Sequence, residues 1–372
     1  MRQAALEAIG GLGLFLIGMS VMTDGLRRLA GRGLRTVLRR FTRSPSSGAA
    51  VGATTTAIVQ SSSATTVAAV GLVGAGAMTF AQSLGIIFGA NLGTTVTGWL
   101  VLLFGFKVEL GTLAFPIVFA GALGITFGRG RWTALGYALA GFGLLFIGID
   151  LLQGGMAGLE GRLTPDSFPP DTWRGRLQLV GLGVLITLIT QSSSAGVATA
   201  IAAVYAGTIT CPQAAAIVIG MDVGTTVTAA MAVVGGGTEV KRTGLAHVLF
   251  NVLTGTAAFF LLVPYVSAVD RHAPAMLTEQ PEVLLVAFHT AFNRSGCWPC
   301  CRSRTGSPPS SSTWSAPRHT SPRTGWGERS SPMRTPRSTS STRRSGTSSI
   351  GPSPPPRECG RTGAPPPATP TR

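Results

Sequence analysis

The chain alternates long apolar stretches with short basic connections. Runs of roughly 20 mostly apolar residues, the length at which a helix crosses the hydrocarbon core of a bilayer, fall near residues 6–23, 80–105, 111–128, 133–153, 211–234 and 244–265. Two further stretches, about 49–77 and 178–207, are equally apolar but carry polar clusters at their centres: Gln60-Ser61-Ser62-Ser63 and Gln191-Ser192-Ser193-Ser194. Polar groups at membrane depth are tolerated only inside protein or beside a water-filled cavity. Each stretch therefore predicts a re-entrant helical hairpin with Gln-Ser-Ser-Ser at its tip. The alternative is an ordinary spanning pair joined by a Ser-rich turn.

The pattern occurs twice. Gly10 to Leu29 (GGLGLFLIGMSVMTDGLRRL) returns as Ala140 to Leu159 (AGFGLLFIGIDLLQGGMAGL), and QSSSA at Gln60 to Ala64 returns at Gln191 to Ala195. GANLGTTVT (Gly89 to Thr97) returns as GMDVGTTVT (Gly220 to Thr228), with the same offset of 131 as the QSSSA pair. Matched blocks in one order at nearly constant spacing mark an internal duplication. Residues 1–130 form one membrane repeat, 131–293 a second repeat with its following helices, and 294–372 a basic Ser/Pro/Arg tail. Three crossings separate the two starts, and an odd number inverts the second repeat. Loop charge agrees: Arg27, Arg28, Arg32, Arg35, Arg39, Arg40 and Arg43 face only Asp24, whereas Arg162, Arg174 and Arg176 are balanced by Glu160, Asp166 and Asp171. Cytoplasmic loops are enriched in Lys and Arg, which puts the first loop inside and the N-terminus outside. The expectation is an all-α integral membrane protein of inverted repeats, each with a re-entrant hairpin and a helix broken at its Gly-Thr-Thr segment.

Composition sharpens this. Only 12% of residues are charged, against about 25% in soluble domains, and the 50 glycines suit helices whose backbones approach closely in lipid. The formal net charge of +16 is uneven, since thirteen Arg and two Glu from Arg294 onward account for +11 of it. The body is thus no basic platform, and no nucleic-acid partner is expected. Four of the five cysteines lie in that tail, so there is no disulfide framework. Nothing in the sequence sets an oligomeric state.

The candidate chemistry sits in the duplicated polar segments. No charged residue occurs between Ser44 and Phe106, and Asp222 alone between Leu177 and Thr238. Those stretches hold Gln60, Ser61, Ser62, Ser63, Asn91, Thr94 and Thr95, and the equivalents Gln191, Ser192, Ser193, Ser194, Asp222, Thr225 and Thr226. Hydroxyls and amides both donate and accept hydrogen bonds; they can surround an oxyanion with donors or a small cation with oxygens. A helix N-terminus at each hairpin tip favours an anion, and carbonyls freed at a helix break can hold Na⁺. With no Lys, Arg or His in either motif, an entering anion needs co-bound cations to offset its charge. Asp222, costly at membrane depth, must face the cavity, be protonated or hold a cation. His247 and Asn251 share a helix face, as do His289 and Asn293; helix–helix hydrogen bonding is the favoured reading over metal ligation. No nucleophile–base–orienter set points to an enzyme, and no cofactor is expected.

Two QSSS motifs, each followed by G-x-[ND]-x-G-T-T-x-T, resemble the type II sodium/phosphate cotransporter family over residues 5 to 293. The resemblance implies Na⁺-coupled movement of inorganic phosphate across the cytoplasmic (inner) membrane. It implies that the two QSSS segments bind phosphate and Na⁺, with Asn91, Thr94, Thr95, Thr225 and Thr226 contributing Na⁺ ligands. LAHVLFN (Leu245 to Asn251) and FHTAFN (Phe288 to Asn293) also look like family segments. Export by the same fold and a non-transporting phosphate sensor or scaffold are the alternatives, and the resemblance implies a PhoU-like regulator as a partner. Asp222 stands where the family has Asn, which alters cation stoichiometry or admits a proton. After Asn293 the apolar pattern stops, as in an out-of-frame reading of GC-rich coding DNA; a genuine basic tail is the competing reading. If the chain does end this way, Glu282 to Asn293 is expected to make only half a crossing, with the final helix missing.

Overall fold

The computed structural model describes residues 2–31, 33–107, 111–159 and 164–302; the calls on Arg32, Glu160 and Arg162, and on the tail beyond residue 302, lie outside them. Every regular element among these residues is helical: α1 (Arg2–Ala30), α2 (Gly33–Phe41), α3 (Pro45–Val59), α4 (Ser62–Gly74), α5 (Phe80–Leu100), α6 (Gly111–Phe127), α7 (Arg131–Ala157), α8 (Trp173–Thr190), α9 (Ser193–Tyr205), α10 (Cys211–Gly224), α11 (Thr226–Ala232), α12 (Thr238–His272), α13 (Pro274–Glu279) and α14 (Pro281–Arg302). A π-helical turn, Val101–Lys107, extends α5, and a short 3₁₀ turn lies at Pro165–Ser167. Five spans are long and apolar enough to cross a membrane: Arg2–Ala30, Phe80–Gly105, Arg131–Ala157, Cys211–Ala232 and Thr238–His272. The stretch expected as a sixth crossing at 111–128 is the shorter α6, 17 residues long. Its exposed face carries Leu113, Phe115, Phe119, Leu123 and Phe127, a surface that suits lipid and not water.

Local sequence explains where the helices start. Thr79 caps α5 and Gln82 reaches back to the Thr79 N–H, while Thr210 and Gln213 do the same for α10, a reciprocal box that satisfies otherwise orphaned N–H groups. Each Gln also ties its helix to the preceding loop. Gln82 Nε2 donates to Thr42 O at 2.9 Å, and Gln213 Nε2 to Pro165 O at 2.9 Å and Pro169 O at 3.1 Å.

Small residues set the packing. A Cβ added at Gly11, Gly18 or Gly25 of α1 would lie 2.2–2.4 Å from the backbone nitrogens of Leu152, Leu145 and Ala138 of α7. From α7, Gly141, Gly148 and Gly155 meet Met22, Phe15 and Ala8 equally closely. As one chain number rises the other falls, so α1 and α7 run antiparallel, with glycines every seventh residue along one face. The same device joins α3 to α5, where Gly85 and Gly89 meet the carbonyls of Pro45 and Ala49, and α8 to α10, where Gly183 and Gly220 meet those of Ile217 and Val180.

Two expectations are corrected. The first repeat's helix is not broken at its Gly-Thr-Thr segment: α5 runs unbroken through Gly89–Thr97, and Thr94 and Thr95 bond back to carbonyls of their own helix. Only its counterpart is interrupted, at Thr225 between α10 and α11. The last helix is also longer than half a crossing. α14 has 22 residues and continues through Asn293 to Arg302, held beyond Asn293 by Gly296 against Phe250 and by Cys297 Sγ on Phe88 O at 2.9 Å.

Replacing Gly148 by Ala puts a methyl 2.3 Å from Phe15 N and should cost at least about 1–3 kcal/mol. Gly13, with nothing within 4 Å of its added Cβ, should tolerate Ala or gain about 0.5–1 kcal/mol. Thermal unfolding of the detergent-solubilised variants compares them; equal midpoints would mean that close backbone contact does not hold α1 to α7.

Candidate functional site

The two Gln-Ser-Ser-Ser segments fold into the same turn. α3 ends at Gln60 (φ 55°, ψ 34°) and α8 at Gln191 (φ 54°, ψ 23°), the two non-glycine residues with positive φ among the described residues. Such a left-handed residue costs of the order of 1 kcal/mol and persists where surrounding bonds hold it. Here each Gln side chain bonds back to its own helix, Gln60 Nε2 to Ala57 O and Gln191 Nε2 to Leu188 O. The next residue is extended and caps the following helix: Ser61 Oγ accepts from Ala64 N and Ser192 Oγ from Ala195 N, both at 3.2 Å. Ser62 and Ser193 are buried in the first turns of α4 and α9. Ser63 and Ser194 are half-buried.

Both tips line one cavity of about 410 Å³, through Gln60, Ser61 and Ser63 on one side and Thr190, Gln191 and Ser192 on the other. The end of α1 supplies Ser20, Thr23, Asp24 and Arg27, and α11 supplies Thr228. Ser20, Asp24, Arg27 and Gln191 are exposed, so the cavity is open. Arg27 Nη2 donates to Ser61 Oγ at 2.6 Å. With that oxygen accepting two bonds, its own hydrogen is left to donate. Arg27 and Ser63 also line an adjoining basic opening with Arg35, Gly31 and Leu34. The neighbouring Arg28 is used differently, lying 4.5 Å above the Tyr137 ring and 3.9 Å from Asp24.

The site is therefore not free of basic residues, as the motifs alone suggested. Arg27 reads in sequence as a loop charge, yet α1 is 29 residues long and carries it as helix to the cavity. Its counterpart in the second repeat is Ala157, so the duplicated site is charged on one side. The remaining candidates lie off the cavity lining. Thr94 and Thr95 donate to Ala90 O and Leu92 O, Thr225 and Thr226 to Met221 O and Val223 O, and Asn91 Nδ2 to Ile87 O. Asp222 binds instead to His289 and Asn293. It is the last Thr of each Gly-Thr-Thr-Val-Thr segment that reaches the tips, and in two different ways. Thr97 Oγ1 donates to Gln60 Oε1 at 2.8 Å, whereas Thr228, its equivalent, donates to Thr225 O at 2.8 Å and faces the cavity.

Two tips that present hydroxyls, amides and helix N-termini to one open cavity, in an all-helical membrane protein, suit a membrane transporter of a small polar solute. The chain belongs to the Na⁺/Pi-cotransporter family, whose profile matches residues 14–154 and 171–269. It is 31% identical over 287 residues to "Uncharacterized protein YqeW" of Bacillus subtilis (strain 168), covering 75% of this chain and 88% of that one. It is 25% identical over 307 residues to "Putative inorganic phosphate export protein YjbB" of Escherichia coli (strain K12), covering 78% of this chain and 52% of that one. The YjbB of Salmonella typhimurium is similar at 26% over 296 residues. The chain thus spans about half the length of the YjbB proteins. No solved structure matches it.

Gln60 is buried and bonded to Thr97, while Gln191 is exposed. Gln60→Ala should therefore destabilise more than Gln191→Ala, by about 1–3 kcal/mol for the hydroxyl left unpaired. A double-mutant cycle with Thr97→Val should return a coupling of at least about 0.5 kcal/mol. Additive losses would show that the Thr97–Gln60 bond contributes nothing.

Proposed function

We propose that this chain is a Na⁺-coupled secondary transporter of inorganic phosphate in the cytoplasmic membrane, and that the two Gln-Ser-Ser-Ser tips form its phosphate site. The observation that carries this reading is the convergence of both tips and Arg27 on one cavity of about 410 Å³. Arg27 and the hydroxyls supply hydrogen-bond donors to an oxyanion. The first turns of α4 and α9 add N–H groups with no acceptor inside their helices. One arginine, with Asp24 beside it on the lining, cannot balance a phosphate of charge near −2, so co-bound Na⁺ is expected among the tip hydroxyls and carbonyls. No protein proton donor or nucleophile is needed, because the solute leaves unchanged.

Inverted repeats explain the α1–α7 contact. Pairs such as Gly11 with Leu152, Gly18 with Leu145 and Met22 with Gly141 keep one register. Exchanging each residue with its repeat partner 130 positions away carries the pair Gly11/Leu152 onto Gly141/Met22, as a two-fold axis between equivalent helices requires. Re-entrant hairpins explain why α3, α4 and α9 have 15, 13 and 13 residues, too few to span a bilayer core. The excess of arginine after α1 puts that loop in the cytoplasm and the N-terminus outside. Alternating access between two halves of such a repeat moves the solute.

Export is the second reading, favoured by the name of the YjbB relatives. The two share a site and differ in the gradients that drive them.

Proteoliposomes holding the chain should take up labelled phosphate only with Na⁺ outside. Gln191→Ala should abolish uptake, and Arg27→Gln should weaken apparent phosphate affinity about tenfold, the low end for one charge-assisted hydrogen bond. Uptake indifferent to Na⁺ would remove the coupling and leave the phosphate site standing. Efflux from preloaded vesicles without matching uptake would favour export.

A further inference from the structure

A second polar cluster lies apart from the cavity, among α10, α12 and α14. Asp222 Oδ2 takes the Asn293 amide at 2.8 Å and His289 Nε2 at 3.2 Å, with His289 3.4 Å from Oδ1. His247 lies within electrostatic reach of Asp222, and Asn251 bonds the His247 carbonyl just as Asn293 bonds that of His289. All five side chains are buried, with residue exposures from 0% to 7%. Both ring nitrogens of His247, Nδ1 of His289 and the amide oxygens of Asn251 and Asn293 are buried with no hydrogen-bond partner. Orphaned polar atoms concentrated in one place call for a functional account.

Charge supplies one. The packed helices bring Asp222 no permanent cation: α3, α4, α5, α9 and α11 contain no charged residue. On α8, Arg174 and Arg176 sit in the first turns; on α12, Glu239, Lys241, Arg242, Asp270, Arg271 and His272 lie near the ends. Glu282 is two turns from His289 on α14, Cys211 opens α10, and Arg294 is exposed and lines an outer groove. The titratable groups facing Asp222 are thus His289 and His247. With one proton the Asp222–His289 pair is neutral, either as carboxylic acid and imidazole or as carboxylate and imidazolium. Without it, a lone carboxylate is buried at membrane depth, which is costly.

We propose that Asp222 and His289, positioned by Asn293 with His247 and Asn251 behind them, form a proton-binding site that loads and releases one proton per transport cycle. It lies outside the phosphate cavity, and α10 couples the two, because Thr225 and Thr228 continue directly from it toward the second tip. The equivalent position in the first repeat is Asn91, whose amide bonds Ile87 O and which carries no charge. The proton site therefore belongs to one repeat only. The link to transport rests on the phosphate reading; the site itself does not.

In the purified chain, titrated in detergent across the pH range in which it stays folded, the Asp222–His289 pair should release one proton. It should be followed by the infrared carboxyl band and by NMR of labelled histidine rings. The change should be lost in Asp222→Asn, which the fold already accepts as Asn91, and displaced in His289→Gln. A histidine and carboxyl signal that does not move overturns the site. In proteoliposomes loaded with a pH dye, phosphate flux should move protons in the parent chain and not in Asp222→Asn. Phosphate flux without proton movement overturns the linkage and leaves the phosphate reading intact. A titration with no phosphate flux under any gradient supports the proton site and sinks the phosphate reading.

Discussion

In a bilayer an apolar side chain gains little by leaving lipid for protein, so helix association rests on how closely backbones can approach. The contact between α1 and α7 meets that demand with glycines at every seventh position on both helices. The chemistry depends on the same spacing. Arg27, which bonds Ser61, is carried on the helix that Gly11, Gly18 and Gly25 hold in register against α7. A slip of one residue would rotate the helix by about 100° and carry the arginine off the cavity.

The tips show a comparable economy. Gln60 and Gln191 accept an unfavourable backbone conformation that glycine would adopt freely. Glycine would bring no amide to bond the Ala57 and Leu188 carbonyls, and none to meet Thr97. Ser61 and Ser192 likewise cap the returning helices. Part of each motif is thus committed to building the turn. What lines the cavity is Ser61, Ser63, the exposed Gln191 and the arginine brought in from α1.

Much of this is legible in sequence because lipid imposes simple rules. Long apolar runs located α1, α5, α7, α10 to α11 and α12, and polar residues interrupting apolar stretches located both turns at Gln60 and Gln191. The rest depended on tertiary geometry. A Gly-Thr-Thr segment reads as a break, yet equivalent hydroxyl bonds to the local backbone accompany an intact α5 in one repeat and an interruption at Thr225 in the other. Arg27 sits in a run of arginines that periodicity cannot tell apart, and a cavity on one side and Tyr137 on the other separate it from Arg28. The helical pairs His247/Asn251 and His289/Asn293 were visible on their own elements. The convergence of His289 and Asn293 on Asp222 was not, since it joins residues 67 and 71 positions apart.

Duplication and asymmetry together bear on mechanism. Equivalent sequence supplies Thr97 and Thr228, yet one bonds across to its tip glutamine and the other to its own helix while facing the cavity. Gln60 is buried and its equivalent Gln191 exposed. Two copies of one segment in two bonding states within a single molecule mean that the sequence is compatible with both. On the proposed alternating-access reading, an exchange of these states between the repeats would replace each lost hydroxyl bond by its equivalent, and the two end states would lie close in free energy, as a reversible carrier requires. The charged side chains break that balance. Arg27 on the first repeat and Asp222 on the second have neutral counterparts, Ala157 and Asn91, so a bound anion or proton weights the two states differently even where the scaffold does not.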